Sequence, residues 1–292
     1  MMPDDQAAKL RQKLAVKNNQ THAKTIAIVS GKGGVGKSNF ALNFALELLD
    51  KRKKVLLFDL DVGMGNIDIL LGMQTNKTIV DMLADQLAFR DCLEIGPNNL
   101  DYIAAGSGLS EFFTMDKMKM NYFLEQYNDL IPKYDYIIFD MGAGTTSDSL
   151  AFVMAADECI VVTTPEPTSI TDAYGMTKHI VNKQRNMPIY VVMNRSRTAK
   201  FGTKVLNQFQ RVVFRFLQVN VFPMGVLPDD KTVQTAVTRQ IPYLLLNSKA
   251  PVSRALKQIV TSYLANEISL NQQESLSFVQ KVKRFMTERN KQ

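Results

Sequence analysis

Two lysines, a serine and a run of glycines are crowded into Gly31-Lys32-Gly33-Gly34-Val35-Gly36-Lys37-Ser38. Gly31, Gly36, Lys37 and Ser38 supply the spacing G-x-x-x-x-G-K-[ST] of a phosphate-binding loop. Glycines there let the backbone N–H groups of Gly33, Gly34, Val35 and Gly36 turn toward one anion. The helix that follows, opening with Ser38 and Asn39, offers its positive end to the same charge. Lys37 would reach the β- and γ-phosphates of a bound nucleotide, and the Ser38 hydroxyl would ligate Mg2+. Lys32 is not needed for any of this. A second cation beside the first glycine suits phosphate charge on a nucleotide that is not the chain's own, which points to a dimer.

Carboxylates at two further places suit the same ligand. Lys54–Asp59 is an apolar run that ends in Asp59-Leu60-Asp61, and strand alternation puts the two carboxylates on one side. One would support the Mg2+ shell, while the next, Asp61, reaches toward the γ-phosphate to position a water for in-line attack. Tyr136–Asp140 is a second such run, followed by Met141-Gly142-Ala143-Gly144. Asp140 would hold Mg2+ through water, and Gly142 would let backbone approach the γ-phosphate.

The elements that must position these groups read as a parallel sheet. Thr25–Ser30, Lys54–Asp59, Leu100–Ala104, Tyr136–Asp140, Cys159–Thr163, Ile189–Asn194 and Phe222–Val226 are near-continuous apolar runs, as strands covered on both faces require. Helical patterns lie between them. Directly after the phosphate loop, Phe40, Phe44 and Leu48 with Ala41, Ala45 and Leu49 form one stripe. The expected fold is α/β: a doubly wound, mostly parallel sheet flanked by helices, built from right-handed crossovers. Such sheets bind ligands beyond the carboxyl ends of their strands, where the acidic motifs fall.

The chain has 292 residues and a formal charge of +7. Residues 1–24 and 271–292 each carry five basic against two acidic side chains, so the body between them is close to neutral. That distribution argues against a broad DNA-binding face, and no specific nucleic-acid partner is expected. It favours tails that meet acidic partners or anionic lipid. Cys92 and Cys159 lack metal-ligand spacing and read as buried thiols in a reducing compartment. No apolar run would span a bilayer, and the first residues are unlike a secretory signal. A cytoplasmic protein is expected. His22 and His179 have no ligand partners at sensible spacing, and the methionine run Met115–Met120 suits core or partner surface.

Lys32-Gly-Gly-Val-Gly-Lys37-Ser38, Asp59-Leu-Asp61 and Asp140-Met-Gly142-Ala-Gly144 together resemble the deviant Walker A ATPases of the MinD/ParA class, over residues 25–265. Thr164–Ala173 looks like that class's switch-proximal loop and helix. Val192-Met193-Asn194-Arg195 and Gly225–Asp230 look like its base-recognition strands. The resemblance implies ATP or ADP with Mg2+ as ligands, Asn194 bonding adenine beside Arg195, and Pro228, Asp229 and Asp230 lining the ring. It also implies a homodimer clamped by ATP, in which Lys32 crosses to the partner's phosphates and Asp61 orients the attacking water. Met141 and Ala143 depart from the class, where a proline often follows the aspartate.

The ends narrow the resemblance. Asp5-Gln6-Ala7-Ala8-Lys9-Leu10-Arg11, in an N-terminal tail of residues 1–24, looks like the activator motif of the FlhG (FleN/YlxH) family of flagellar-placement ATPases. Asn98–Leu109 is similar to that family too. The implied partners are an FlhF-type signal-recognition GTPase, stimulated through Gln6, and flagellar C-ring proteins. At the other end, residues 270–292, the apolar side chains Phe278, Val279, Val282, Phe285 and Met286 follow one helical stripe flanked by Lys283 and Arg284. Such a helix can lie in an anionic membrane surface or dock on its own core, and release with ATP would make attachment reversible. The expected location is therefore cytoplasmic and reversibly peripheral on the inner face of the cell membrane. Among rivals, a MinD-type division-site ATPase differs mainly by lacking Asp5–Arg11. A ParA-type partitioning ATPase would need a basic body, a metal-cluster carrier cysteines near Asp140, and a self-phosphorylating kinase a tyrosine-rich tail.

Overall fold

The computed structural model describes residues 23–61, 65–106, 117–142, 147–270 and 278–289. Apolar runs with buried side chains on both faces become the strands of one eight-stranded sheet: β1 (Lys24–Val29), β2 (Val55–Leu60), β3 (Glu94–Ile95), β4 (Asp101–Ile103), β5 (Tyr136–Met141), β6 (Glu158–Thr163), β7 (Ile189–Ser196) and β8 (Phe222–Pro228). The spatial order is β3-β4-β2-β5-β1-β6-β7-β8. Every pairing is parallel except the short β3, which runs antiparallel to β4 at the edge. All seven expected strands are present. The two-residue β3 was not foreseen, because it is too short to leave a periodic signal.

β1 sits at the centre, with β5 on one side and β6 on the other. The loop leaving β1 is therefore flanked by the ends of both neighbours, and Asp59 of β2 lies in register with Asp140 of β5. This is the crevice where successive crossovers turn opposite ways, the ordinary ligand position of a doubly wound sheet.

The helix after the phosphate loop, α1 (Lys37–Asp50), corrects the expected single stripe. Leu42, Asn43, Leu46 and Glu47 are buried as well as Phe40, Phe44 and Leu48. The reason lies at the far end of the chain. Two C-terminal helices, Tyr243–Leu246 and Pro251–Leu270, cover the outer side of α1, and Asn43 Oδ1 accepts a 3.0 Å bond from the Leu244 N–H. The second of them runs on to Leu270, five residues past the expected domain end.

On the other face, Ser147–Ala155 (here α6, after Ile67–Leu71, Ile79–Asp85, Phe89–Cys92 and Lys117–Leu130 as α2 to α5) lies beside the last helix, Phe278–Arg289. Counting Pro167–Lys183, Ala199–Leu217, Lys231–Arg239, Tyr243–Leu246 and Pro251–Leu270 as α7 to α11, that last helix is α12. Its stripe is turned inward in this structure. Phe278, Val279 and Val282 are buried. The Phe278 ring lies 4.7 Å from Tyr127, 5.1 Å from Phe139 and 6.3 Å from Phe152. The side chains of Phe285 and Met286, like all of residues 1–22 including Gln6, lie outside the described residues. Among the described residues, no helix is long and apolar enough to cross a membrane.

Candidate active site

The phosphate loop bridges β1 and α1. Gly36, the residue before the helix, has φ of +87°, and a Cβ there would lie 2.6 Å from Asn194 Nδ2. Both facts require glycine. Lys37 is the first helical residue and is buried, with Nζ 2.6 Å from Asp140 Oδ1 and 3.4 Å from Ser38 Oγ. Sequence positions 103 apart thus meet because β5 is the neighbour of β1. The other Asp140 oxygen, Oδ2, is buried without a hydrogen-bond partner among the described residues. Left unmet, a buried acceptor is costly. A hydrated Mg2+ beside Ser38 and Asp140 would satisfy it, so the donor set fits the metal. Ser30 Oγ and Thr164 Oγ1, at the ends of β1 and β6, are likewise buried and unpartnered among the described residues.

Asp59 has a role that sequence reasoning missed. Its Oδ1 accepts from the Asp61 N–H at 3.0 Å, and its Oδ2 from the Asn66 and Ile67 N–H groups at 2.8 and 3.1 Å. The carboxylate ties the loop after β2 to the start of α2. Burial, together with the negative Asp140 beside it, pushes the Asp59 carboxyl up to about 7 despite those three donors. A metal held here through water would reverse that effect by adding positive charge.

Asp61 leans over the next loop. A Cβ on Gly142 would lie 3.1 Å from Asp61 Oδ1, so glycine is what lets the two loops approach. Burial raises the Asp61 carboxyl, Lys37 lowers it, and Asp140 raises it again, leaving it above the ordinary range. Lys37, Ser38, Asp59, Asp61 and Asp140 are therefore brought together. Lys32 stands apart at the rim. Its Nζ is 3.2 Å from Thr168 Oγ1 and 3.8 Å from Glu166 Oε2, with 43% and 67% of the Lys32 and Glu166 side chains exposed.

The nucleoside side is a cavity lined by Gly36, Asn39, Asn194, Arg195, Pro228 and Asp230, among others. Asp229 lines it too, and its N–H donates to the Ser196 carbonyl at 2.9 Å. Asn194 Nδ2 donates to the Val35 carbonyl at 2.8 Å. Asp230 caps α9 through Thr232 N–H at 2.8 Å and α11 through Val252 N–H at 3.2 Å. Burial alone would raise its carboxyl, but these donors outweigh it and hold it below the usual range. Phe40, Val233 and Tyr243 add apolar walls that motif reading did not identify.

The ParA family, described as an iron-transfer P-loop NTPase (NUBPL), matches residues 21–264. Antiactivator FleN of Pseudomonas aeruginosa is 32% identical over 256 residues, covering 87% of this chain and 91% of that protein. The flagellum site-determining protein YlxH of Helicobacter pylori is 32% identical over 227 residues, 72% of each chain. This chain belongs to the FlhG (FleN/YlxH) branch of the MinD/ParA class of P-loop ATPases. In fold it is similar to the septum site-determining protein MinD of Pyrococcus horikoshii, solved with Mg-ADP, at a TM-score of 0.69 and 23% identity, covering 86% of this chain and 100% of that one. ATP binding and ATPase activity belong to that class. The class also includes iron-transfer proteins, yet Cys92 and Cys159 are buried, free and in separate elements.

Proposed function

We propose that the protein is an ATP-driven dimerisation switch that controls flagellar number or placement. The observation that carries this reading is Lys32. It lies at the open edge of a phosphate loop that already has Lys37, and it is held at the rim by a hydroxyl and a largely exposed carboxylate. A cation so placed is free to leave Thr168 and Glu166 for the phosphates of a facing copy, where it would offset charge developing in the transition state.

In that dimer, the loop N–H groups and Lys37 hold the β- and γ-phosphates. Ser38 would hold Mg2+ directly, and Asp140 and Asp59 would support it through water. When bound, the ion would supply positive charge that offsets the charge of the phosphates. Lys37 must give up its 2.6 Å pair with Asp140 to reach phosphate, which frees Asp140 for the metal's water shell. Asp61, poised above Gly142, accepts a hydrogen bond from the attacking water and fixes its line of approach. Asn194 bonds adenine within the cavity closed by Pro228–Asp230. Hydrolysis that resets an assembly state need not be fast, and turnover is expected to be slow.

Outputs come from the two ends and one face. Release of α12 would expose Phe278, Val279 and Val282, with Phe285 and Met286 on the same sequence stripe, to an anionic membrane. Two helices on one dimer bind with avidity that a single helix lacks. The tail containing Gln6 would reach an FlhF-type GTPase and orient water in its site. The end of α8 exposes Val212, Phe214 and Phe216 beside Arg211 and Arg215, a surface suited to flagellar C-ring proteins. The alternative is a MinD-type division-site ATPase. GTP turnover by an FlhF partner, measured with and without a peptide of residues 1–24, separates the two. Stimulation supports the flagellar reading, and its absence moves the assignment to division-site placement.

A further inference from the structure

The outward-facing carbonyls of the phosphate loop carry an inference about Arg195. A loop that turns successive N–H groups toward phosphate must turn its carbonyls away, and those carbonyls need donors of their own. Two are met by one dipeptide. Asn194 Nδ2 donates to the Val35 carbonyl at 2.8 Å, and Arg195 Nη1 donates to the Gly34 carbonyl at 2.9 Å. The dipeptide is itself braced, since the Arg195 N–H donates to Asn194 Oδ1 at 2.9 Å.

The backbone here is unusual in two independent ways. The register of β7 against β8 shifts between Met193 and Ser196, so Asn194 and Arg195 form a bulge at the strand's carboxyl end. Bulges re-aim side chains beside functional sites. Arg195 also has φ of +54°, a left-handed conformation that non-glycine residues rarely adopt. The other non-glycine residues with positive φ among the described ones sit at helix ends or turns, whereas Arg195 lies within a strand, one residue before its end. Glycine would take this conformation without strain but would leave the Gly34 carbonyl without its charged donor. Such strain persists where the surroundings over-determine it.

We propose that Arg195 is a positioning residue for phosphate: it holds the Gly34 carbonyl outward so that the loop's N–H groups stay turned toward the anion. It therefore acts through the loop rather than by touching the base. Asn194 does the same at Val35 while lining the nucleoside cavity, so base recognition and phosphate binding share one bulge.

The test compares Arg195→Met, which keeps the stem and loses the donor, with Arg195→Lys, which restores a donor, and with wild type. ADP and inorganic tripolyphosphate, which has no base, are titrated calorimetrically in the full-length protein. Loop amides of Gly34, Val35 and Gly36 are followed by NMR without ligand. Arg195→Met should weaken both ligands together by roughly two- to fivefold, as suits an exposed charge-assisted hydrogen bond, and Arg195→Lys should recover part of the loss. The loop amides should shift or broaden in the ligand-free Arg195→Met protein. Loss of ADP affinity with tripolyphosphate unchanged would overturn the proposal in favour of a nucleoside contact. Unperturbed loop amides would overturn it in favour of a direct phosphate contact. The inference rests on the nucleotide reading, and wild-type protein that binds neither ligand would defeat that reading instead.

Discussion

Asp157→Asn isolates the latch on the C-terminal helix without touching lipid-facing or nucleotide-facing groups. Asp157 Oδ1 lies 2.7 Å from Lys281 Nζ of α12, while Oδ2 accepts from the Thr25 N–H at 2.9 Å and Thr25 Oγ1 at 2.8 Å. Asparagine can keep an oxygen toward Thr25 and still lose the charge that holds Lys281. The two side chains are 16% and 24% exposed, between a surface pair and a buried one. A charge-assisted bond contributes about 1.5–3 kcal/mol when shielded and an exposed pair about 0.2–1, so roughly 1–2 kcal/mol is at stake. At about 1.4 kcal/mol per tenfold, the docked-to-undocked ratio of α12 should fall roughly 5- to 30-fold. Hydrogen exchange in Phe278–Arg289 should quicken by that factor while β5 exchange is unchanged. Flotation with anionic vesicles should show more nucleotide-independent binding than wild type. Unchanged exchange in α12 together with unchanged vesicle binding would refute the claim that this ion pair holds the helix.

Four further outcomes follow from the site. Lys32→Ala should abolish ATP-dependent dimers while leaving ADP affinity within a few-fold of wild type, measured by light scattering and calorimetry. Glu166→Ala, by removing the charged one of the two rim contacts of Lys32, should instead favour the dimer modestly, about twofold or less for an exposed pair. Asp61→Ala should accumulate ATP dimers and lower turnover by about a hundredfold or more, as loss of a water-positioning group does; monomers under saturating ATP would contradict the assigned role. Ligand-free stability should depend on pH through Asp59. Its carboxyl keeps a proton up to about 7 in the folded protein but ionises near 3.8 when unfolded. The folded state therefore binds the extra proton between those values, so stability falls as pH rises through that window and levels off above it. Asp59→Asn should flatten that slope in thermal melts, and parallel slopes for the two proteins would remove Asp59 as its source.

The parts of the molecule that were legible in advance are those encoded by local spacing. The phosphate loop, the strand-ending Asp59, Asp61 and Asp140, and seven of eight strands follow from patterns a few residues long. What was not legible depends on contacts between distant segments. The full burial of α1 requires Leu244 and its neighbours, some two hundred residues away. The Lys32 contacts lie 136 residues on, at Thr168, and no pattern around Lys32 announces them. The stripe Phe278-Val279-Val282 is equally compatible with lipid and with core, and only packing against Tyr127 and Phe139 shows which one it meets in this state. Asp59 was read for its charge, yet its three backbone donors come from a loop whose course no motif specifies. The bulge at Arg195 was hidden for the same reason, since strand register is a property of the pair β7 and β8.

The central claim is that triphosphate draws two copies together through Lys32. Sedimentation velocity of the full-length protein with Mg2+ and either ATP or ADP tests it most directly, with Asp61→Ala included to prevent turnover. A dimer with ATP and a monomer with ADP is the predicted result. A single monomeric species with ATP at every concentration, in wild type and Asp61→Ala alike, would contradict it.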